Sequence, residues 1–600
     1  MFQQKWLLAA VLTAITSVPV YAQTTADSVA PEADTDLSTA FDGLSAPARA
    51  ALDAKNAGTP VVADDWMVAA ANPLAVEAGA EVLRNGGTAA DAMVAVQAVL
   101  GLVEPQSSGL GGGAFLVWYD AETSALTTLD GRETAPMAVT PTVFQDETGE
   151  PLQFFDAVVG GLSVGTPGTP RLMEDAHRRW GRANWGGLLD PAIDLAENGF
   201  AVSERLAASI AGDAERLGRF GPTADYFIPD GTPLAAGTTL VNPEYADVLR
   251  QMAAQGADAI YSGPIAEDIV RTVRTAQGNP GLLALDDLAT YRVIERPAVC
   301  VEYRQADVCG MGPPSSGALT VGQILGMAEQ FDLATLGPDN PESWRIIGDA
   351  SRLAFADRGR YMADSDFVPM PTEGLVDPVY LESRAGQIKA ADTALETVTP
   401  GEPEWDHAML WADDQSLELP STSHISIVDS YGNALSMTTT IENGFGSRLF
   451  VRGFLLNNEL TDFSFRTHSD GIPIANRIEP GKRPRSSMAP TIVMQDDAPI
   501  LVIGSPGGSR IIGYVAQAII AHLDWGMDVQ QAVSMPHLVN RFGTFDIEDG
   551  TSAADLAEPL TALGFEVNAR GLNSGLHAIS ISDQLRGGAD PRREGIALGQ

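Results

Sequence analysis

Lysine and cysteine are scarce in this chain, and beyond its N-terminus it has no long apolar run. Its two cysteines, Cys300 and Cys309, lack clustered histidines at zinc-ligand spacing, so no metal is expected. Lysine stands only at Lys5, Lys55, Lys389 and Lys482, and the other basic residues are arginines. With 37 Lys and Arg against 78 Asp and Glu, the net charge is -41, which repels phosphate backbones and anionic headgroups. Nucleic acid is therefore not an expected partner. Away from a defined site, such acidity serves solubility. No window after the first 22 residues is long and apolar enough to cross a bilayer. A composition 45% hydrophobic and 19% charged is that of a folded chain, and 600 residues suffice for one large core or two domains.

The N-terminus reads as an export signal. Lys5 gives the positive region, Trp6 to Val18 a short apolar stretch, and Val20-Tyr21-Ala22 a small residue at the cleavage position. The expected mature protein starts near Gln23, periplasmic or secreted, with no membrane span. No cysteine follows the signal to carry a lipid anchor. Residues 23–62, rich in Ala, Asp, Ser, Thr and Pro, read as an acidic linker. Pro73 to Arg84 and Ala89 to Leu102 read as helices, the first stopped by Asn85-Gly86-Gly87. Residues 170–390 are helical in pattern, notably Trp344 to Tyr361. Cys300 and Cys309 flank a hairpin turning at Arg304-Gln305, which predicts either a disulfide in an oxidising compartment or two buried thiols.

Three motifs mislead. Gly161-Leu162-Ser163-Val164-Gly165 matches a nucleophile elbow, but Thr166-Pro167-Gly168-Thr169-Pro170 argues against the helix an elbow requires. Gly109 to Gly113, with Asp130 downstream, looks like a nucleotide loop. It runs into the strand Ala114 to Tyr119, so no helix N-terminus would meet a phosphate, and tight packing or close approach to a ligand is the better reading. Asp364 and Asp366 lack the other ligands of a cation loop.

Residues 395–420 are polar, acidic and proline-marked, and the pattern changes abruptly at Thr422. His424 to Asp429 and Ala434 to Thr440 alternate about a turn at Tyr431-Gly432-Asn433, a β-hairpin; Thr491 to Val493 and Leu501 to Ile503 are further strands. A cleavable segment running into a strand-initial hydroxyl suits a nucleophile freed by self-cleavage, whose own α-amine, with an ordinary pKa of about 7.7–8.0, serves as base. A lone strand-initial Thr is weak evidence, since many strands begin so.

Thr422-Ser423-His424-Ile425-Ser426-Ile427-Val428-Asp429 with Gly432-Asn433-Ala434 resembles the small-subunit start of the γ-glutamyltransferases. Asn457 to Phe463, Lys482 to Met488 and Gly504 to Arg510 follow in that family's order, as do Ser108 to Gly113, Asp130-Gly131-Arg132-Glu133 and Pro313 to Gly317 before them. The resemblance spans roughly residues 65–590. It implies an α+β fold, the four-layer αββα sandwich of the N-terminal nucleophile hydrolases, with a large subunit (63–421) and a small one (422–600) from one precursor. It implies cleavage at Ser421-Thr422, Thr422 as nucleophile, Thr440 bonded to it, and Gly507 and Gly508 as oxyanion donors. Arg132, Ser486 and Ser487 would bind the substrate α-carboxylate, and Glu459, Asp462 and Glu442 its α-ammonium. The implied reaction hydrolyses glutathione and other γ-glutamyl amides, or passes the γ-glutamyl group to an amino acid or peptide, with no cofactor. Two features depart from the family. The position of Glu442 holds Asn in many members and Glu in others, and Phe465 to Arg485 lacks the Tyr that in some members sits on a lid loop over the site, which predicts an altered or absent lid. The alternatives are a related acylase of glutaryl or β-lactam side chains, and a silent γ-glutamyl-binding protein.

Overall fold

The computed structural model describes residues 39–600 except 408, 415, 417, 418 and 420. The export signal and the first part of the linker lie outside the described residues. Two seven-stranded antiparallel sheets form the centre. The first runs Val61–Ala63, Leu585–Ala589, His577–Ile581, Ala498–Gly504, Thr491–Gln495, Ala306–Met311, Ala298–Tyr303. The second runs Ile596–Gly599, Met67–Ala70, Ser423–Val428, Ala434–Thr440, Gly113–Asp120, Ala125–Gly131, Ile294–Arg296. Each mixes strands from before and after residue 422.

Period-2 alternation sorts side chains between layers. In the second sheet Val68, Ala70, Leu116, Trp118, Ile425 and Ile427 face a helical layer that includes Pro73–Arg84 and Ala89–Val103. Their neighbours Met67, Ala69, Val117 and Val428 turn inward against Ile492, Val502 and Ile579 of the first sheet. The far face of the first sheet packs on Gly317–Ala328, Pro341–Tyr361 and Ile511–Leu523. The result is four layers, αββα. Ala89–Val103 is buried along its whole length, so it is apolar all round rather than striped. Among the described residues no helix is long and apolar enough to cross a membrane.

Several expectations are corrected. Within the supposed linker, Ala46–Asn56 is a helix capped by Ser45, and its face Ala48, Ala51, Leu52 and Lys55 is buried. An i, i+3, i+4 stripe made mostly of alanine escaped notice because alanine carries so little hydrophobic contrast. A helix does follow the Gly-Leu-Ser-Val-Gly motif: Thr169–Trp180 starts with Pro170 in its first turn, where a missing N–H costs nothing. Ser163 is nonetheless no nucleophile, since its buried hydroxyl donates to the Val158 carbonyl at 2.7 Å. Arg304 and Gln305 both have positive φ in the predicted turn, Cys300 pairs with Cys309 across the strands, and their sulfurs are bonded. Asp364 and Asp366 face Arg296.

The glycine run explains itself through packing. A Cβ on Gly111 would lie 2.0 Å from the Leu455 carbonyl oxygen, and one on Gly112 would lie 1.9 Å from that of Thr440. Both obstacles are backbone, so neither can rotate away. Gly112→Ala is expected to destabilise the fold by about 3 kcal/mol or more, at the upper end of overpacking effects. A lowered midpoint in urea denaturation is the check, and an unchanged midpoint would refute this packing argument.

Candidate active site

Strand register builds the site. Ser423 pairs with Thr439 and His424 with Thr438, so the next pair outward is Thr422 with Thr440. Thr422 Oγ1 accordingly donates to Thr440 Oγ1 at 3.3 Å, and the same Thr440 oxygen accepts from the Glu442 N–H at 2.9 Å. The chain then leaves the strand with Glu442 at φ 75°, a left-handed conformation uncommon for a side-chain-bearing residue. Asn458 Nδ2 donates to the Glu442 carboxylate, and Leu419 and Ser421 line the cavity beside it. The uncut segment before Thr422 thus reaches into the site.

One small cavity gathers Arg132, Ser421, Thr422, Thr440, Glu442, Glu459, Asp462, Ser486, Ser487 and Gly508, completed by Leu419, Met488 and Ile511. Gly507 stands just behind Gly508, where a Cβ would come within 2.7 Å of the Tyr514 ring. Gly508 opens the turn leading into Ile511–Leu523, a place where backbone N–H groups point outward. Cys300 lies on the edge strand of the first sheet and Cys309 on the strand beside it.

Arg132 is the one base among the lining residues, and it pairs with both Glu459 and Asp462. Its Nε and Nη2 also donate to the carbonyls of Pro484 at 3.2 Å and Arg485 at 3.0 Å. Burial alone would lower this guanidinium's affinity for its proton; the Glu459 and Asp462 carboxylates outweigh burial and hold it charged. Burial pushes the Glu442 carboxyl well up, and nearby Asp462 adds to the shift. Behind them Glu133 is buried with neither carboxyl oxygen bonded to a donor, and burial raises it to about 8 against the opposing pull of Arg132. Among the described residues no group of three His, Cys, Asp or Glu is arranged to hold a metal.

The two serines are braced from outside the motifs. Ser487 Oγ accepts from Arg358 Nη2 at 2.8 Å, while Arg358 Nε donates to Ser316 Oγ. Ser316 in turn bonds the Ser486 carbonyl through its N–H and its hydroxyl. Arg485 Nη2 pairs with Asp414 at 2.9 Å, tying down the segment that leads to residue 421. Sequence reasoning missed Arg358 and Asp414. The signal for Arg358 was present: it continues the apolar stripe Ile347, Ala350, Ala354 on its helix, where an arginine needs a buried partner. His424, by contrast, is no base for Thr422. Its ring contacts Thr438 and Ser426, and burial pushes it well below the usual histidine range.

The layered fold with a hydroxyl heading a central strand defines an N-terminal nucleophile hydrolase. Residues 75–600 match the family model described as Gamma-glutamyltranspeptidase. The chain is 37% identical over 552 residues to the glutathione hydrolase proenzyme of Bacillus subtilis (strain 168), covering 90% of this chain and 92% of that one. It is 35% identical over 551 residues to the glutathione hydrolase proenzyme of Escherichia coli (strain K12), covering 89% and 91%. Among solved structures, a cephalosporin acylase from Bacillus halodurans superposes with a TM-score of 0.79 at 26% identity, covering 90% of this chain and 97% of that one. The chain belongs to the γ-glutamyltranspeptidase family.

Glu133 yields a pH prediction. Folding raises its pKa from 4.5 to about 8, so the folded chain holds this proton more tightly than the unfolded one. Its contribution to stability is full below about pH 4.5 and is lost as pH rises through about 8. One such group supplies at most about 1.4 kcal/mol per pH unit. Urea unfolding of Glu133→Gln across pH 5–8 should show a shallower decline than wild type; parallel curves would show that Glu133 is ionised in the folded state.

Proposed function

We propose that the chain cuts itself before Thr422 and then works as a γ-glutamyl hydrolase and transferase, glutathione being one donor. In the first step Thr422 Oγ attacks the Ser421 carbonyl carbon, the C–N bond breaks, and the hydroxyl proton passes to the departing nitrogen. Water hydrolyses the resulting ester, leaving a Ser421 carboxylate and a free α-amine on Thr422. Afterwards that amine takes the Oγ proton as Oγ attacks the substrate γ-carbonyl, with no histidine among the cavity residues to compete for the role. The N–H groups of Gly507 and Gly508 stabilise the tetrahedral oxyanion. Collapse returns the proton to the leaving amine, cysteinylglycine when glutathione is the donor. Water or an acceptor amine then resolves the γ-glutamyl ester.

The observation that carries this reading is the pairing of opposite recognition groups in the one cavity that holds Thr422. Arg132, Ser486 and Ser487 suit a carboxylate, while Glu442, Glu459 and Asp462 suit an ammonium. A γ-glutamyl group presents both on one carbon. A glutaryl group lacks the ammonium, so it would leave buried acids facing an apolar chain, which disfavours the acylase reading despite the similarity to a cephalosporin acylase. The two subunits, 63–421 and 422–600, would stay joined after cleavage because each sheet interleaves their strands. Export to the periplasm or beyond is supported by the Cys300–Cys309 bond, which oxidising compartments maintain.

Purified wild type should run as two bands, with Thr422 at the N-terminus of the smaller, and Thr422→Ala as one inactive chain. Activity in an uncut chain would overturn the mechanism. Replacing an ammonium acceptor, as in Glu459→Gln or Asp462→Asn, should lower kcat/KM for a γ-glutamyl anilide roughly 10- to 100-fold, the worth of one charge-assisted hydrogen bond. Wild type that prefers a glutaryl anilide would transfer the assignment to the acylases.

A further inference from the structure

Behind Thr422 the helix Ala46–Asn56 meets the segment 593–595. The helix Ala46–Asn56 precedes the residues that match the family model, 75–600, yet it is tied to the catalytic centre. Lys55, in its last turn, is buried, and its ammonium donates to the carbonyl oxygens of Arg593 and, at 2.8 Å, Gly595. Arg593 is buried as well. Its Nη1 donates to the carbonyl oxygen of Thr422 at 2.9 Å, and its Nε to Asn573 Oδ1 at 3.2 Å. The backbone it hangs from has no room to shift. A Cβ on Gly595 would lie 2.3 Å from the His577 ring and 2.4 Å from the Ala70 carbonyl oxygen. Holding two cations here costs desolvation, and between them these cations fix one backbone carbonyl on the proposed nucleophile.

We propose that Arg593, clamped by Lys55, is a positioning residue for Thr422: it fixes that residue's carbonyl and, after cleavage, disfavours protonation of its α-amine. This rests on the reading of Thr422 as an N-terminal nucleophile. Only the Thr422 carbonyl carbon and Cα separate the bonded oxygen from the amine. Acids face the same amine from other elements. Glu442, Glu459 and Asp462 lie across the cavity with Arg132, and Glu104 accepts from Ser423 at 3.1 Å while pairing with Arg205. Glu594 lies beyond, accepting from the Arg205 N–H. His424 and His577 are kept neutral by burial, and Asp590 is engaged by Arg592. Unopposed, those acids would favour the ammonium form, which cannot act as a base. Arg132 and Arg205 oppose part of that charge through their own ion pairs, and Arg593, bonded to the residue itself, adds a cation nearest the amine.

The test uses full-length protein carrying Arg593→Met, Arg593→Lys, Lys55→Met or Lys55→Arg. The readouts are cleavage on a denaturing gel, kcat and KM with a γ-glutamyl anilide, and the acid limb of kcat/KM against pH. Arg593→Met should lower kcat roughly 10-fold or more with KM little changed, because misplacement of a reacting group acts on the chemical step. Its acid limb should move up by about 1 pH unit, the effect of removing a nearby like charge. Arg593→Lys and Lys55→Arg should recover most of both, and Lys55→Met should show the same changes in smaller measure. An unmoved limb in Arg593→Met overturns the assignment, as does failure of lysine at 593 to restore it. Should Arg593→Met fail to mature, Lys55→Met decides: an acid limb matching wild type would refute it. If wild type proves active while uncut, the nucleophile reading itself has failed. If wild type is cut at 421/422 and Arg593→Met matches it, only the role of Arg593 has failed.

Discussion

Everything at the site depends on where one strand begins. Ser423–Val428 is clasped between Met67–Ala70 on one side and Ala434–Thr440 on the other. A one-residue slip would turn Ile425 and Ile427 from the helical layer toward the opposite sheet, so the register is strongly specified. That same register extends to Thr422 and sets its hydroxyl opposite Thr440. Hydroxyls on the inner face add a second restraint. Ser426 donates to the His577 carbonyl at 3.0 Å and Ser436 to that of Ile503 at 3.1 Å, pinning one sheet to the other beneath the site.

Around this fixed point the cavity stores charge in a form that a zwitterion can exchange. Arg132 is satisfied by Glu459 and Asp462 as the structure stands, and Asn458 donates to Glu442. On the proposed reading, the substrate carboxylate enters to share Arg132 while the substrate ammonium takes up the acids that the arginine releases. Ion pairs are then traded rather than broken, which avoids leaving an uncompensated buried charge. A ligand with only one of the two charges could not complete the trade. On that reading, specificity for the α-carbon of glutamate would follow from the internal salt bridges, and the γ-carbonyl position from the strand.

Much of the scaffold was legible because its signals are local. Pro73–Arg84 has its asparagine cap and proline start, the hairpin at Arg304-Gln305 its turn, and the 423–440 hairpin its alternation. The short strands His468–Ser469 and Ile472–Pro473 are joined by a turn at Asp470-Gly471, both at positive φ. The alanine-rich helix Ala46–Asn56 was hidden, because small side chains leave little periodic contrast. Arg358, Asp414 and Arg593 were hidden for another reason: each acts through a partner distant in sequence, and no spacing announces such a pair.

The sequence alone determined the candidate residues and their chemistry, since motif order and the break before Thr422 are written along one dimension. It also determined which segments are strands and which helices wherever periodicity was strong. Only the tertiary structure decided that Arg132 of one half meets Glu459 and Asp462 of the other, that Glu133 lies buried without a donor, and that Lys55 reaches the far end of the chain. Those outcomes turn on burial and on pairs hundreds of residues apart, quantities that exist only once the layers have closed.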